Sequence, residues 1–160
     1  MGQFKSVVQA TSNTTINTED LFVELKAPAA VTIKIKRVRV GFSDGTATAG
    51  VDNHFRIKMV RYTTSTAGTT AAFTPVPINA NGPVAATGAV KIKSGATACV
   101  LGTTAVVVVD LISVNGRALY EWLARDDDDM IVTLPGQCFC VALQSAVASQ
   151  LFTVTVDHVE

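Results

Sequence analysis

The stretch Val31-Thr32-Ile33-Lys34-Ile35-Lys36-Arg37-Val38-Arg39-Val40-Gly41-Phe42 decides how this chain is read. Val31, Ile33 and Ile35 alternate with Thr32, Lys34 and Lys36, so apolar side chains fall on one side of an extended backbone and polar ones on the other. The alternation then slips: from Val38 onward the apolar positions are Val38, Val40 and Phe42. A period of two with one slip predicts a long strand with a β-bulge at the Lys36-Arg37 step, which re-aims the strand or marks a bend between two sheets.

The same pattern recurs outward from this stretch. Gln3 to Ala10 and Leu21 to Lys26 read as strands. His54 to Thr63 reads as a returning strand with Phe55, Ile57 and Met59 inward, paired as a hairpin with the first stretch across the loop that begins at Asp44-Gly45. From Thr64 to Ala98 the chain turns to Thr, Ala, Gly, Pro and Asn, and Pro75, Pro77 and Pro83 bar a long central strand. Such a long segment is expected to be functional, with a short strand near Ala89 to Lys93 inside it. A new β region begins at Cys99 to Leu101, and Ala105 to Val114 is a nearly continuous apolar run, which predicts burial on both faces. Asn115-Gly116 then reads as a type I′ turn that brings Arg117 to Ala124 back as the partner strand. Met130 to Leu134, a turn at Pro135-Gly136, Gln137 to Ser145 and Gln150 to Val159 complete the series, and no long amphipathic helix interrupts it.

Roughly eight to ten short strands at this spacing predict an all-β protein, an antiparallel β-sandwich. The expectation is one domain over residues 1–160, with an N-terminal arm over about 1–18 and a long loop over about 64–97. A jelly roll is the most economical architecture. An immunoglobulin-like sandwich fits the same strand pattern, but Trp122 lies between Cys99 and Cys138 without the cysteine pair of that framework.

Composition narrows the function classes. Charged residues make up 16% of the chain, against about 25% in an ordinary soluble domain, so Thr, Ser, Ala and Asn must cover much of the surface. Such a surface suits association with copies of itself or with another surface. The formal net charge is zero, and no global field draws the chain to nucleic acid or to an anionic membrane. No stretch spans a bilayer, the best run being broken by Asp110. The N-terminus lacks the basic start and apolar core of a secretory signal, so Cys99, Cys138 and Cys140 read as reduced thiols in a protein folded in a cytosol. Gly2 and Ser6 match a myristoylation pattern and Asn13-Thr14-Thr15 a glycosylation sequon, both short enough to arise by chance.

The chain is chemically quiet. Its histidines are His54 and His158, neither in a motif that pairs a base with a nucleophile, so no catalytic residue, cofactor or metal is assigned and the protein is read as a non-enzyme. Cys138 and Cys140 share one face of a doubly covered strand and lack the further ligands of a tetrahedral metal site. Two charge clusters stand out. Lys34, Lys36, Arg37 and Arg39, with Arg56, Lys58 and Arg61 on the expected neighbour, form a basic hairpin. It reads as a solvated face or as an attachment surface for an acidic protein, nucleic acid being the weaker option because stacking aromatics are missing around it. Asp126, Asp127, Asp128 and Asp129 read as a solvated turn, an ionic contact between subunits, or a calcium attractor from which only alternate carboxylates could converge.

The block from Asn115-Gly116-Arg117-Ala118-Leu119-Tyr120-Glu121-Trp122 through Arg125-Asp126-Asp127-Asp128-Asp129, Phe139, Leu143-Gln144-Ser145 and Ser149-Gln150-Leu151-Phe152-Thr153-Val154 resembles small structural proteins of tailed bacteriophages. Lys5, Ile16-Asn17-Thr18 and Ala72-Phe73-Thr74-Pro75-Val76-Pro77 extend the resemblance over nearly the whole chain. The resemblance implies a jelly-roll virion component: a capsid decoration or cement protein that forms trimers and binds the major capsid protein lattice. It would sit on the outer capsid surface after assembly in the host cytoplasm, with no membrane partner. It leaves open a head fibre or tail component, and a glycan-binding module that would stack sugar on Trp122, Tyr120 or Tyr62 is the rival reading. Phe73, Pro75 and Pro77, or the N-terminal arm, are expected to touch a neighbouring subunit.

Overall fold

The alternating and apolar runs become strands, and the computed structural model contains twelve strands and no helix among the residues it describes. These are residues 2–11, 20–43, 54–63, 70–79, 88–93, 101–115, 118–144 and 151–160. In chain order the strands are β1 (Gln3–Thr11), β2 (Asp20–Lys26), β3 (Ile33–Ser43), β4 (His54–Tyr62), β5 (Thr70–Phe73), β6 (Val76–Pro77), β7 (Ala89–Lys93), β8 (Val107–Asn115), β9 (Tyr120–Leu123), β10 (Ile131–Thr133), β11 (Cys138–Leu143) and β12 (Leu151–Val159).

They form two antiparallel sheets packed as a β-sandwich. The first runs β10-β3-β12-β1-β6, with β9 pairing the same side of β3 as β10 but further along it. The second runs β5-β7-β2-β11-β4-β8. The inner faces meet in one core. Ile33, Ile35, Val38 and Val40 of β3 and Phe152, Val154 and Val156 of β12 supply one side, and Phe22, Leu25, Phe55, Ile57, Phe139 and Val141 the other. Phe152 lies 4.8 Å from Phe22 and meets Phe55 edge-on at 5.5 Å, contacts worth about 0.5–1.5 kcal/mol each beyond the area they bury.

The expected bulge is present. Asp157 of β12 pairs Arg37 and the next residue, His158, pairs Ile35, so Lys36 is the extra residue. β11 is buried along its whole length, as its two thiols suggested: Phe139, Val141 and Leu143 face the main core, while Cys138, Cys140 and Ala142 join Leu21, Val60 and Tyr62 in a second cluster. Pro135-Gly136 forms the expected turn, with Gly136 at φ 77° and the Gln137 amide donating to the Leu134 carbonyl at 2.9 Å.

Several expectations are corrected. β3 and β4 are not a hairpin but lie in different sheets, because each has a single apolar face and both faces are covered when the strands contribute to one core from opposite sides. β9 is not the hairpin partner of β8; it pairs β3 in the other sheet, and Gly116 of the expected turn lies outside the described residues. β8 is not buried on both faces. Among the described residues it is an edge strand paired only with β4, and Val107, Val108 and Leu111 are exposed. The strand expected at Gln3 to Ala10 is present as β1 and pairs β12 from Gln3↔Val159 to Thr11↔Leu151, which builds that part of the N-terminal arm into a sheet. The long loop holds β5 and β6 besides the expected β7. Cys99, Pro83, the sequon at Asn13, the Asp44-Gly45 loop and the His54 side chain lie outside the described residues.

Candidate interaction surface

The seven basic residues do not form one patch. Lys34, Lys36, Arg37 and Arg39 lie on β3 in one sheet, and Arg56, Lys58 and Arg61 on β4 in the other. The bulge at Lys36 determines what the arginines do. In an unbroken strand Arg37 would share the core face with Ile35; the extra residue turns it outward, opposite Asp157. Arg37 Nε donates to Asp157 Oδ2 at 2.7 Å, Nη2 reaches the same oxygen, and Nη1 lies 3.8 Å from Glu121 Oε1. Arg39 Nε donates to the same Glu121 oxygen at 2.9 Å, directly across the β3–β9 ladder. Both arginines are therefore engaged within the chain, by two acids that stand in no charge cluster of the sequence.

Lys34 and Lys36 behave differently. With Gln3, Asp127, Met130 and Val159 they line a cleft of about 160 Å³, so one member of the acidic run borders the same cleft as the basic strand. Asp126 acts within its own turn, where Oδ1 accepts the amides of Asp128 and Asp129 at 3.0 and 3.1 Å and closes the exposed loop. On β4, Arg61 Nη1 donates to the Val132 carbonyl of β10 at 2.7 Å and so ties the two sheets together, while Arg56 is exposed. Among the described residues no group of three or more His, Cys, Asp or Glu side chains is placed to hold a metal ion.

Phe73, Pro75 and Pro77 face inward rather than outward. Phe73 packs on the core, Pro75 is buried, and Pro77 is half-buried opposite Phe4. Their neighbours Val76 and Ile78 are the exposed ones, at 60% and 48%. The aromatics of the glycan reading are also engaged: Tyr62 is buried and donates to Glu24 Oε2 at 2.5 Å, and Trp122 and Tyr120 pack against the core. The Tyr120 hydroxyl is hydrogen-bonded to Asp110; burial, then that carboxylate, raises its pKa, and the contact links the start of β9 in one sheet to the β8 edge of the other. His158 is fully buried, stacked on Phe4 with ring centroids 5.7 Å apart. Its Nε2 lies 3.3 Å from Glu160 Oε1, with no aligned hydrogen bond to either ring nitrogen. Burial lowers its pKa against the opposing pull of Glu160 and Asp157.

Besides the charged residues, a group of apolar side chains remains open to a partner. Val106, just before β8, and Val107, Val108 and Leu111 within it stand exposed, as do Leu119, just before β9, and Leu123 at its end. The sequence signal was the run from Ala105 onward, which reads as an interior strand because an edge strand with exposed apolar residues has the same composition. The chain matches no family model, no curated protein and no solved structure.

Proposed function

We propose that this chain is a non-enzymatic structural protein of a virion: a capsid decoration protein that assembles as a trimer and binds the major capsid protein lattice on the outer surface of the shell. The observation that carries the reading is β8, a nine-residue edge strand on which Val107, Val108 and Leu111 stand exposed with no strand beside them on the outer side among the described residues. Exposed apolar surface of this kind marks association. Many modest contacts, multiplied by oligomerisation, then hold a lattice through avidity rather than through one strong site.

The strand order supports a jelly roll. β1-β12-β3 followed by β9 and β10 faces β2-β11-β4-β8, and the chain changes sheet at β1–β2, β2–β3, β3–β4, β5–β6, β6–β7, β8–β9, β10–β11 and β11–β12. Viral capsid domains use that architecture, and so do lectins, so the fold alone does not choose the role. The resemblance to phage structural proteins favours the first, and the engagement of Tyr62, Tyr120 and Trp122 within the chain weighs against sugar stacking. The test is sedimentation of the purified chain together with its binding to capsids that lack it. A trimer that binds those shells is expected; a stable monomer at micromolar concentration that ignores them overturns the proposal.

A further inference from the structure

We infer that copies of this chain associate head to tail, the β8/β9 edge of one copy packing on the β1/β6 edge of the next. This rests on the self-association proposed above and adds which surfaces meet. Among the described residues, the large apolar side chains left in water fall, Leu134 aside, in two places. Val106, Val107, Val108, Leu111, Leu119 and Leu123 make one group, and Val7, Val76 and Ile78 the other.

The topology sets these groups on opposite sides of the sandwich. β8 ends its sheet on one side, and the bond from Tyr120 to Asp110 holds β9, the edge of the facing sheet, next to it. β6 ends the first sheet on the other side, and only Thr74 and Pro75 separate it from β5, the far edge of the second.

A second copy is the occupant that accounts for both groups. A two-fold dimer through either edge would leave the other in water, whereas a head-to-tail contact covers each edge with the other. A charged partner finds little to pair with at β8. Its one charge, Asp110, already accepts the Tyr120 hydroxyl and, at 2.8 Å, the Leu111 amide.

The contact is side-chain packing, not a continued sheet. On β8 the register breaks between Met59 and Val60 of its partner, leaving Val109 as a bulge, and Asp110 caps the outward amide next to it. On β6, Pro77 has no amide to offer. Both are devices that blunt an edge against strand addition. With the ladder blocked, the angle between copies is set by the packing of Val and Leu side chains, which permits a rotation that closes into a ring instead of an open filament.

The test uses Leu111→Asp and Val76→Asp, one charge on each edge, with light scattering after gel filtration and circular dichroism to verify folding. The unaltered chain should be an oligomer and each variant alone a monomer. A mixture of the two should give a one-to-one pair, because one healthy edge survives on each partner and the two are complementary. A Val76→Asp chain that keeps the full oligomer, or a mixture that stays monomeric beside an oligomeric parent, overturns the head-to-tail contact while self-association stands. A monomeric parent overturns both. Val108→Asp with Ile78→Asp repeats the logic should either first variant fail to fold.

Discussion

Replacing Arg37 by Ala should cost much more stability than replacing Asp157 by Ala, although both changes delete the same ion pair. The asymmetry comes from burial. The Asp157 side chain is 5% exposed and that of Arg37 26%, and Asp157 Oδ1 has no hydrogen-bond partner, so Oδ2 carries the contact with Arg37. Arg37→Ala leaves a buried carboxylate without that partner, a loss of about 3–5 kcal/mol in comparable pairs. Lys5 faces Asp157 in register from β1, so the lower end, about 3 kcal/mol, is expected. Asp157→Ala leaves an arginine that still meets water and has Glu121 at 3.8 Å, and a loss of about 1 kcal/mol follows. At a urea dependence of about 2 kcal/mol per molar, the midpoints should fall by about 1.5 M and about 0.5 M respectively. The double variant should recover most of the Arg37→Ala defect, since it removes the stranded charge. Measurements belong at one fixed protein concentration, because self-association adds to apparent stability. Equal losses, or a larger loss for Asp157→Ala, would refute the burial argument.

Two further perturbations probe groups held by the fold. His158 has a folded pKa below its unfolded value of about 6.5, so on acidification the unfolded chain takes up the proton first and stability falls as pH drops below about 6.5. Urea midpoints taken between about pH 7.5 and 5.5 should slope less in His158→Gln, by at most about 1.4 kcal/mol per pH unit; parallel profiles would show that the buried imidazole is not responsible. Gly136→Ala places a side chain at φ 77° where no atom lies within 4 Å of the new Cβ. Its loss of about 1 kcal/mol should come from the backbone alone, and Gly136→Asn, which tolerates that conformation, should recover part of it in thermal or urea unfolding.

The alternation from Val31 to Phe42 carried its strand and even its bulge, because side-chain period and a slip in that period are local properties of the backbone. The Pro135-Gly136 turn and the doubly covered Cys138–Leu143 strand were legible for the same reason. The candidate surface was much less so. Arg37 and Arg39 read as free cations, since nothing local reveals that Asp157, 120 residues away, and Glu121, 82 residues from Arg39, close over them. Phe73, Pro75 and Pro77 stand out by residue type, but the segment from β5 through β6 turns those three inward and leaves Val76 and Ile78 outward.

Residue type and spacing over a few positions suffice to make the protein all-β, to place most of its strands and to mark which face of each amphipathic strand is apolar. Which strands share a sheet, which charges are already paired, and that the apolar run at β8 lies on an edge are settled only when the chain closes on itself. Strand neighbours and burial depend on long-range closure of the two sheets, and an apolar strand has the same composition whether its own chain or another molecule covers it.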